Sequence, residues 1–124
     1  MRGQCFRVQA QLPAITCMYF DCPYLNTHVE LTGEREAHIQ EKHPDLLPVH
    51  RDYVSETVRD PDEVRRDPRF TNTLLFSHWF PDLKGGKFVV VVVVADPSPA
   101  DRYWIVTAYV ARQLSGGTVT WKRP

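Results

Sequence analysis

Two histidines and a lysine lie within one short stretch of the chain, at His38, Lys42 and His43. The pKa of a free imidazole lies near neutrality, so a histidine can both accept and donate a proton during catalysis. His38 and Lys42 are four residues apart and therefore share one face of a helix. The apolar residues Leu31 and Ile39 place both histidines at the border of the buried face. The pattern predicts acid–base chemistry, although two structural histidines at the edge of a core would give the same pattern.

A second candidate group lies in the stretch from Arg102 to Arg112, whose β-branched and aromatic residues predict a strand. Strand side chains alternate between the two faces. We expect an apolar core face and a half-polar face, made respectively of Trp104, Val106, Ala108 and Val110, and of Tyr103, Ile105, Thr107, Tyr109 and Ala111. Thr107 and Tyr109 would then point the same way, with two hydroxyls that can hold a phosphate oxygen. Both residues are also common in ordinary strands, so a structural role stays open.

Cationic and imidazole side chains near these groups are candidates for binding phosphate. We expect this role for four residues, Lys42, Lys87, Arg112 and His78, with solvated surface charge as the alternative for each. Cysteines and histidines also provide zinc-type ligands, at Cys17, Cys22, His28, His38 and His43. Their spacing matches no familiar zinc pattern. We therefore expect neither a metal nor a cofactor, with a metal-dependent hydrolase as a weaker alternative.

Length and composition are those of one ordinary globular domain, with 124 residues and a net charge of zero. Residues 1–68 hold eight basic and twelve acidic residues, whereas residues 69–124 hold seven basic and three acidic ones, so the halves carry −4 and +4. The second half is thus the expected phosphate-facing surface. No apolar run is long enough for a membrane span, no secretory signal is visible, and the three cysteines are expected to be reduced thiols, although one disulfide with a leftover thiol stays open. We expect a cytoplasmic protein.

Helix signals place the histidines on a first helix from Gly33 to His43, with Thr32 as its N-cap and Pro44 behind its last residue. A second helix is predicted from Val49 to Arg59, with an inner stripe of Tyr53, Val54, Thr57 and Val58. The run from Asp60 to Glu63 resembles a cap with a proline at the first helical position, so a further helical turn through Val64 is expected.

Strand signals occupy the remainder of the chain. They predict strands at Cys5 to Gln11, Ile15 to Phe20, Thr73 to Phe80, Phe88 to Ala95, Arg102 to Arg112 and Thr118 to Lys122, with a short strand or lead-in at His28 to Leu31 and a hairpin turn at Lys84 to Lys87. The six consecutive valines of one strand predict a central position. We expect a single α+β domain, in which an N-terminal β-arm and two helices pack on a four-stranded antiparallel β-meander. Residues 1–27 either belong to the sheet or form an added arm.

The ordered motifs resemble a known nuclease superfamily. They are Val29-Glu30-Leu31-Thr32-x-Glu34-Arg35-x-x-His38-Ile39-x-x-x-His43-Pro44-x-Leu46, then Val54-x-x-Thr57-Val58-x-x-Pro61-Asp62-x-Val64, then the valine strand and Val106-Thr107-Ala108-Tyr109. Over roughly residues 28–122 this order is similar to the small nuclease-like domains of the barnase–EndoU–colicin–RelE superfamily, especially its phage- and toxin-associated branches.

The resemblance implies a metal-independent RNA endonuclease, acting as a toxin or defence effector, in which the ribose 2′-hydroxyl attacks the adjacent phosphorus. His38 and His43 would move the protons, and Thr107 and Tyr109 would hold the phosphate. The implied partners are RNA, such as tRNA or mRNA, and an immunity or antitoxin protein; a homodimer is left open. The near-zero net charge departs from a strongly basic ribonuclease, so the rival hypothesis is a non-catalytic binding or regulatory module of the same fold.

Overall fold

One continuous sheet forms the body of the protein. The structure is a computed structural model that describes residues 17–96 and 102–124. Within these ranges the strands are β1 (Cys17–Cys22), β2 (Thr27–Thr32), β3 (Glu63–Arg66), β4 (Thr73–Phe80), β5 (Lys87–Asp96), β6 (Arg102–Ala111) and β7 (Thr118–Lys122), and the α-helices are α1 (Gly33–Lys42) and α2 (Arg51–Arg59). The strands lie in the order β1-β2-β6-β5-β4-β3-β7.

Strand pairing is antiparallel throughout the sheet except between β2 and β6, which run parallel and are registered at Glu30 and Trp104. The strands β4, β5 and β6 are consecutive neighbours, as a meander requires. The chain then leaves β6 and returns at the far edge, where β7 pairs with β3. This long crossover shapes the groove on one face of the sheet.

The predicted four-stranded meander is wrong, although the α+β class is correct. The described residues form a seven-stranded sheet. The strands β1 and β2 extend it beyond β6, and the strands β3 and β7 extend it beyond β4. Residues 17–27 include a strand that is integral to the sheet, so this part of the N-terminal segment is not an added arm. The strand predicted at Cys5 to Gln11 lies outside the described residues.

The helical turn predicted after Asp60 is also wrong, because this segment is the strand β3. The backbone N–H of Asp60 closes α2 by donating to the Glu56 carbonyl, so Asp60 ends a helix instead of starting one. Val64 pairs with Phe76 of β4 on one side and with Trp121 of β7 on the other. Backbone groups with partners on both sides are better satisfied in a strand than in one isolated helical turn.

The helix predictions are confirmed to within two residues at each end. The Thr32 side chain accepts a hydrogen bond from the Arg35 backbone N–H at 3.1 Å, which makes it the predicted N-cap of α1. His43 is the C-cap just after that helix. In α2 the predicted inner residues Val54, Thr57 and Val58 are buried. Among the described residues, neither helix is long and apolar enough to cross a membrane.

The hydrophobic core lies between the helices and one face of the sheet. Val89, Val91 and Val93 of β5 have no exposed surface and pack with helix residues such as Ile39 and Val58. The central position predicted for the valine strand is confirmed, since β5 is the fourth strand of the order. The alternate valines Val92 and Val94 point to the opposite face and are only partly buried.

A β-bulge in β6 corrects the predicted alternation of that strand. The register shifts between Val92 and Val93, which pair with Thr107 and Ile105 and leave Val106 as the extra residue. Ile105 therefore points into the core and is fully buried, whereas it was predicted to share a face with Thr107. By the same shift, Trp104 is on the face of Thr107 and Tyr109 rather than on the core face.

The two cysteines of β1 differ in state. Cys17 is disulfide-bonded, so the expectation of three reduced thiols is wrong for this residue. Cys22 is a free thiol with no exposed surface, and burial raises its pKa. A thiol that is buried and protonated is a poor nucleophile, so Cys22 serves the core.

Candidate functional site

A groove crosses the sheet face opposite the helices. Residues 112–117, the crossing loop, lead from β6 over β5, β4 and β3 to reach β7. The Arg65 guanidinium holds this loop by donating to the Gly116 carbonyl oxygen at 2.9 Å. Gly117 lies so close to β3 that an added Cβ would be 2.8 Å from the Arg66 carbonyl oxygen. The loop therefore rests directly on the sheet and roofs part of it.

The groove has two compartments, and both are lined by Leu75, Tyr109 and Ser115. The smaller, of about 80 Å³, lies under the crossing loop and is completed by Arg65, Ser77, Val90, Ala111, Gln113 and Leu114. The wider, of about 440 Å³, is open to solvent and is completed by Asp67, Pro68, Arg69, Val92, Thr107, Gly116 and Gly117. The volume of the wider compartment is in the usual range for a small-ligand site.

Thr107 and Tyr109 lie on this groove face, as the sequence predicts, because they pair with Val92 and Val90. Both line the wider compartment. Burial raises the pKa of the Tyr109 phenol, and the nearby Asp67 carboxylate raises it further. The phenol therefore stays protonated at neutral pH and can donate a hydrogen bond to an anion in the groove.

Asp67 and Arg69 form the opposite wall of the wider compartment. The Asp67 carboxylate accepts the Arg69 backbone N–H at 2.8 Å, and this bond is the main reason that the pKa of Asp67 lies below its usual value. Asp67 is buried, whereas the Arg69 side chain is 76 % exposed. The guanidinium donates to the two carboxylate oxygens at 3.4 Å, longer than a tight charged pair, and its exposure leaves it accessible to another anion.

A second charged pair lies on the same face beside the smaller compartment. The Arg65 guanidinium binds the Glu63 carboxylate of its own strand and also holds the crossing loop. Each groove arginine is thus matched by a carboxylate, and these four side chains sum to zero charge. The pairing of Arg65 is structural, while that of Arg69 is loose.

The helix α1 runs beside β6 beyond the point where β2 stops pairing with that strand. Arg35 fixes it there, because its Nε and Nη2 atoms donate to the Val106 carbonyl oxygen at 3.1 and 2.9 Å. Val106 is the bulged residue, so its carbonyl group is available outside the regular ladder. This anchor brings the C-cap residue His43 next to the groove, with its ring centroid 6.1 Å from that of Tyr109.

His38 and Lys42 lie on the Arg35 side of α1. Successive helix residues are rotated by about 100°, so His38 lies about 60° and Lys42 about 20° from Arg35 in one direction. Ile39 lies about 40° from Arg35 in the other direction and is fully buried in the core. His38 is half-buried, and within the described ranges it makes no hydrogen bond, ion pair or ring contact. It lies on the helix that His43 caps but makes no hydrogen bond to the groove hydroxyls.

The other residues predicted to bind phosphate are dispersed. His78 is on the helix-covered face, where its Nδ1 lies 2.7 Å from the Asp60 carbonyl oxygen and its ring lies against Phe80. The ammonium group of Lys87 donates to the Lys84 carbonyl oxygen in the β4–β5 turn. Arg112 is exposed at the start of the crossing loop. Of the eight predicted residues, Thr107 and Tyr109 share the lining of the wider compartment, and His43 lies beside Tyr109.

Sequence reasoning missed Asp67, although it gave Arg69 as a residue that could bind phosphate. The signal was present, because an aspartate followed by proline typically starts a turn in which its carboxylate accepts a backbone N–H two residues on. Among the described residues, no three histidine, cysteine, aspartate or glutamate side chains lie together as a metal site would require. No family model, curated protein or solved structure matches this chain. Its function therefore has to be inferred from the groove itself.

Proposed function

We propose that the protein is an endoribonuclease that binds the RNA backbone in the groove beneath and beside the crossing loop. The observation that carries the proposal is the approach of the His43 imidazole to the Tyr109 phenol, at a ring distance of 6.1 Å, where the phenol lines the groove together with Thr107. An imidazole beside an open cleft and two hydroxyls that line it are groups able to move protons at a phosphodiester and to hold its oxygens.

In the proposed reaction the ribose 2′-hydroxyl attacks the adjacent phosphorus and the 5′-oxygen of the next nucleotide leaves. His43 takes the proton from the 2′-hydroxyl or gives one to the leaving oxygen, because an imidazole is competent for either step near neutral pH. Tyr109 and Thr107 donate hydrogen bonds to the phosphate oxygens. Arg69, which Asp67 holds only loosely, turns toward the negative charge that builds up in the transition state.

His38 is the proposed second proton-transfer group. It lies on the same side of α1 as Arg35 and Lys42, away from the buried Ile39, and none of the contacts in the described residues ties down its ring. The Lys42 ammonium group, on that side as well, is exposed and would add positive charge along the approach to the groove.

The test is cleavage of single- and double-stranded RNA by the purified protein in the presence of EDTA. His43→Gln should lower the rate about 10²- to 10⁴-fold, the usual contribution of a general acid or base. The matched control is His28→Gln, an exposed histidine of β2 that packs on Tyr19 away from the groove. Thermal unfolding of each variant reports whether the fold is retained. Equal loss of activity in both variants, or no cleavage of any RNA by the parent protein, contradicts the proposal.

A second candidate function is a non-catalytic module that binds RNA or a protein. The observation favouring it is the charge balance of the groove, where Glu63 faces Arg65 and Asp67 faces Arg69. Expression in bacteria separates the two candidates, because a free ribonuclease should slow growth and the His43→Gln variant should not. A toxin of this kind would need an immunity or antitoxin protein, and a binding module would not.

A further inference from the structure

An exposed aromatic ring stands at the rim of the wider compartment. Phe70 lies in the loop between β3 and β4 and is 54 % exposed. The Arg69 guanidinium lies over this ring, 5.4 Å from its centroid. Arg69 lines the compartment, and its contact with the ring places Phe70 next to this wall.

A similar pair lies on β6 at the same end of the sheet. The Arg102 guanidinium is 4.8 Å from the centroid of the Trp104 ring and is fixed by an ion pair with Glu30 at 3.0 Å. Trp104 pairs with Val94, so it lies on the groove face, as the bulge in β6 requires. The described part of the chain thus carries an arginine–aromatic pair on β6 as well as on the β3–β4 loop.

The two pairs are on opposite sides of β5. The Ala95 backbone N–H donates to the Asn72 carbonyl oxygen at 2.9 Å, which places the β3–β4 loop beside this end of β5. On the other side of β5, Trp104 is the partner of the neighbouring Val94. The wider compartment begins next to both arginine–aromatic pairs, because Val92 and Thr107 line it.

We propose that the groove takes single-stranded RNA, with one base stacked on Phe70 and its flanking phosphate bound by Arg69. This inference rests on the proposed function and names its substrate class. Only unpaired bases offer a free face to an aromatic side chain, and stacking of this kind is how proteins commonly hold single strands. The Arg69 guanidinium supplies the positive charge for this phosphate, because it lines the compartment and has only a long contact with Asp67.

The experiment measures binding of a short fluorescent oligoribonucleotide whose 2′-hydroxyls are methylated, so that it cannot be cleaved. It is titrated at one salt concentration, alone and annealed to its complement. Phe70→Leu should weaken binding of the single strand about 5- to 100-fold, since base–aromatic stacking contributes about 1–3 kcal/mol per base. Phe70→Trp should restore or tighten it. The matched control is Tyr19→Leu, which removes a similarly exposed aromatic ring from β1, at the other edge of the sheet.

The result that supports the inference is a single strand bound at least tenfold more tightly than the duplex, with the loss confined to Phe70→Leu. Equal binding of the two forms, an unaffected Phe70→Leu variant, or no binding by the parent protein overturns it. Cleavage is measured separately with unmodified RNA. If the methylated strand binds through Phe70 but unmodified RNA is never cut, the endonuclease proposal fails and the single-strand site stands. If Phe70→Leu cuts RNA at the parent rate and binds the methylated strand as tightly as the parent protein does, the single-strand site at Phe70 fails and the endonuclease proposal stands.

Discussion

The two faces of the sheet differ in what covers them, although the same strands build both. On the helix-covered face, the neighbouring residues Phe76, Val91 and Ala108 are fully buried. An adjacent residue of each strand points to the other face, and these residues are only half-buried: Leu75, Val92 and Thr107. The reason is that a six-residue loop, and not a pair of helices, lies above them. Identical valines therefore serve packing on one side and line a groove on the other.

Buried polar groups follow the same division. The buried polar residues on or next to the described strands are Glu30, Glu63, Asp67, Thr73 and Ser77, and by strand pairing they all belong to the groove side. Burying a polar group costs free energy unless it is hydrogen-bonded, so a sheet built for stability alone would not collect them on one face. The comparison indicates that one face supplies most of the stability, while the other is the face on which we propose the chemistry.

The sharpest test of this comparison is the pair Val91→Ala and Val92→Ala, which remove the same atoms from adjacent positions of β5. Val91→Ala should lower the free energy of unfolding by about 2–3 kcal/mol, because it empties part of a closed core. Val92→Ala should cost at most about 1 kcal/mol, since its site is already open. Urea unfolding measures both. Equal losses would mean that the groove face is packed as tightly as the core.

A smaller difference is expected within the crossing loop, between Gly117→Ala and Gly116→Ala. Both glycines have a left-handed backbone, with φ of +79° and +77°, so alanine costs about 1 kcal/mol at either position. A Cβ at Gly116 meets nothing within 4 Å, whereas one at Gly117 meets the Arg66 carbonyl oxygen at 2.8 Å. Gly117→Ala should therefore lose about 1 kcal/mol more and shift the roof of the groove.

Chemical denaturation gives the stability of these two variants, and binding of the methylated single strand reports the groove. If Gly117→Ala is no less stable than Gly116→Ala, the loop does not rest on β3.

The smallest expected effect concerns the pH dependence contributed by Tyr109. Its pKa is raised in the folded protein, so folding favours the protonated phenol. The contribution of Tyr109 to stability is then constant below the unfolded pKa of about 10 and decreases as the pH rises through that value toward the folded pKa. Tyr109→Phe cannot ionise. The stability difference between the parent protein and this variant should be flat from about pH 7 to 9 and should move in favour of the variant above about pH 10.

Unfolding curves between about pH 7 and 10.5, together with the absorbance of the phenolate, measure this effect. Parallel stability curves across the whole range would show that Tyr109 is as solvated in the folded chain as in the unfolded one.

Local signals explain which parts of the fold could be predicted. Thr32 caps its helix through a contact three residues away, and β4 and β7 have the predicted bounds because turn residues flank them. The pairing of β7 with β3 could not be predicted, since it joins residues more than fifty positions apart and no local pattern encodes it. The prediction at Asp60 failed for a related reason. Its cap-like residues end one helix, and pairing with distant strands makes the next residues a strand.

The candidate site, too, could be predicted only where local sequence signals determine it. Strand alternation was enough to put Thr107 and Tyr109 on one face, because the bulge precedes both of them. It failed for Ile105, on the far side of that bulge. The closeness of His43 to Tyr109 depends on the Arg35 anchor, which binds a carbonyl group that only the bulge makes available. The position of Asp67 in the groove likewise depends on the pairing of β3 with β4.

The crossover from β6 to β7 both roofs the groove and covers an edge of the sheet. The six residues that roof the groove also deliver the strand that seals the free edge of β3. A molecule in which β7 has not yet docked would expose the backbone of Glu63–Arg66, an open template for pairing with another chain, and would also lack its roof. Completion of the groove and protection of the β3 edge therefore both depend on the docking of β7.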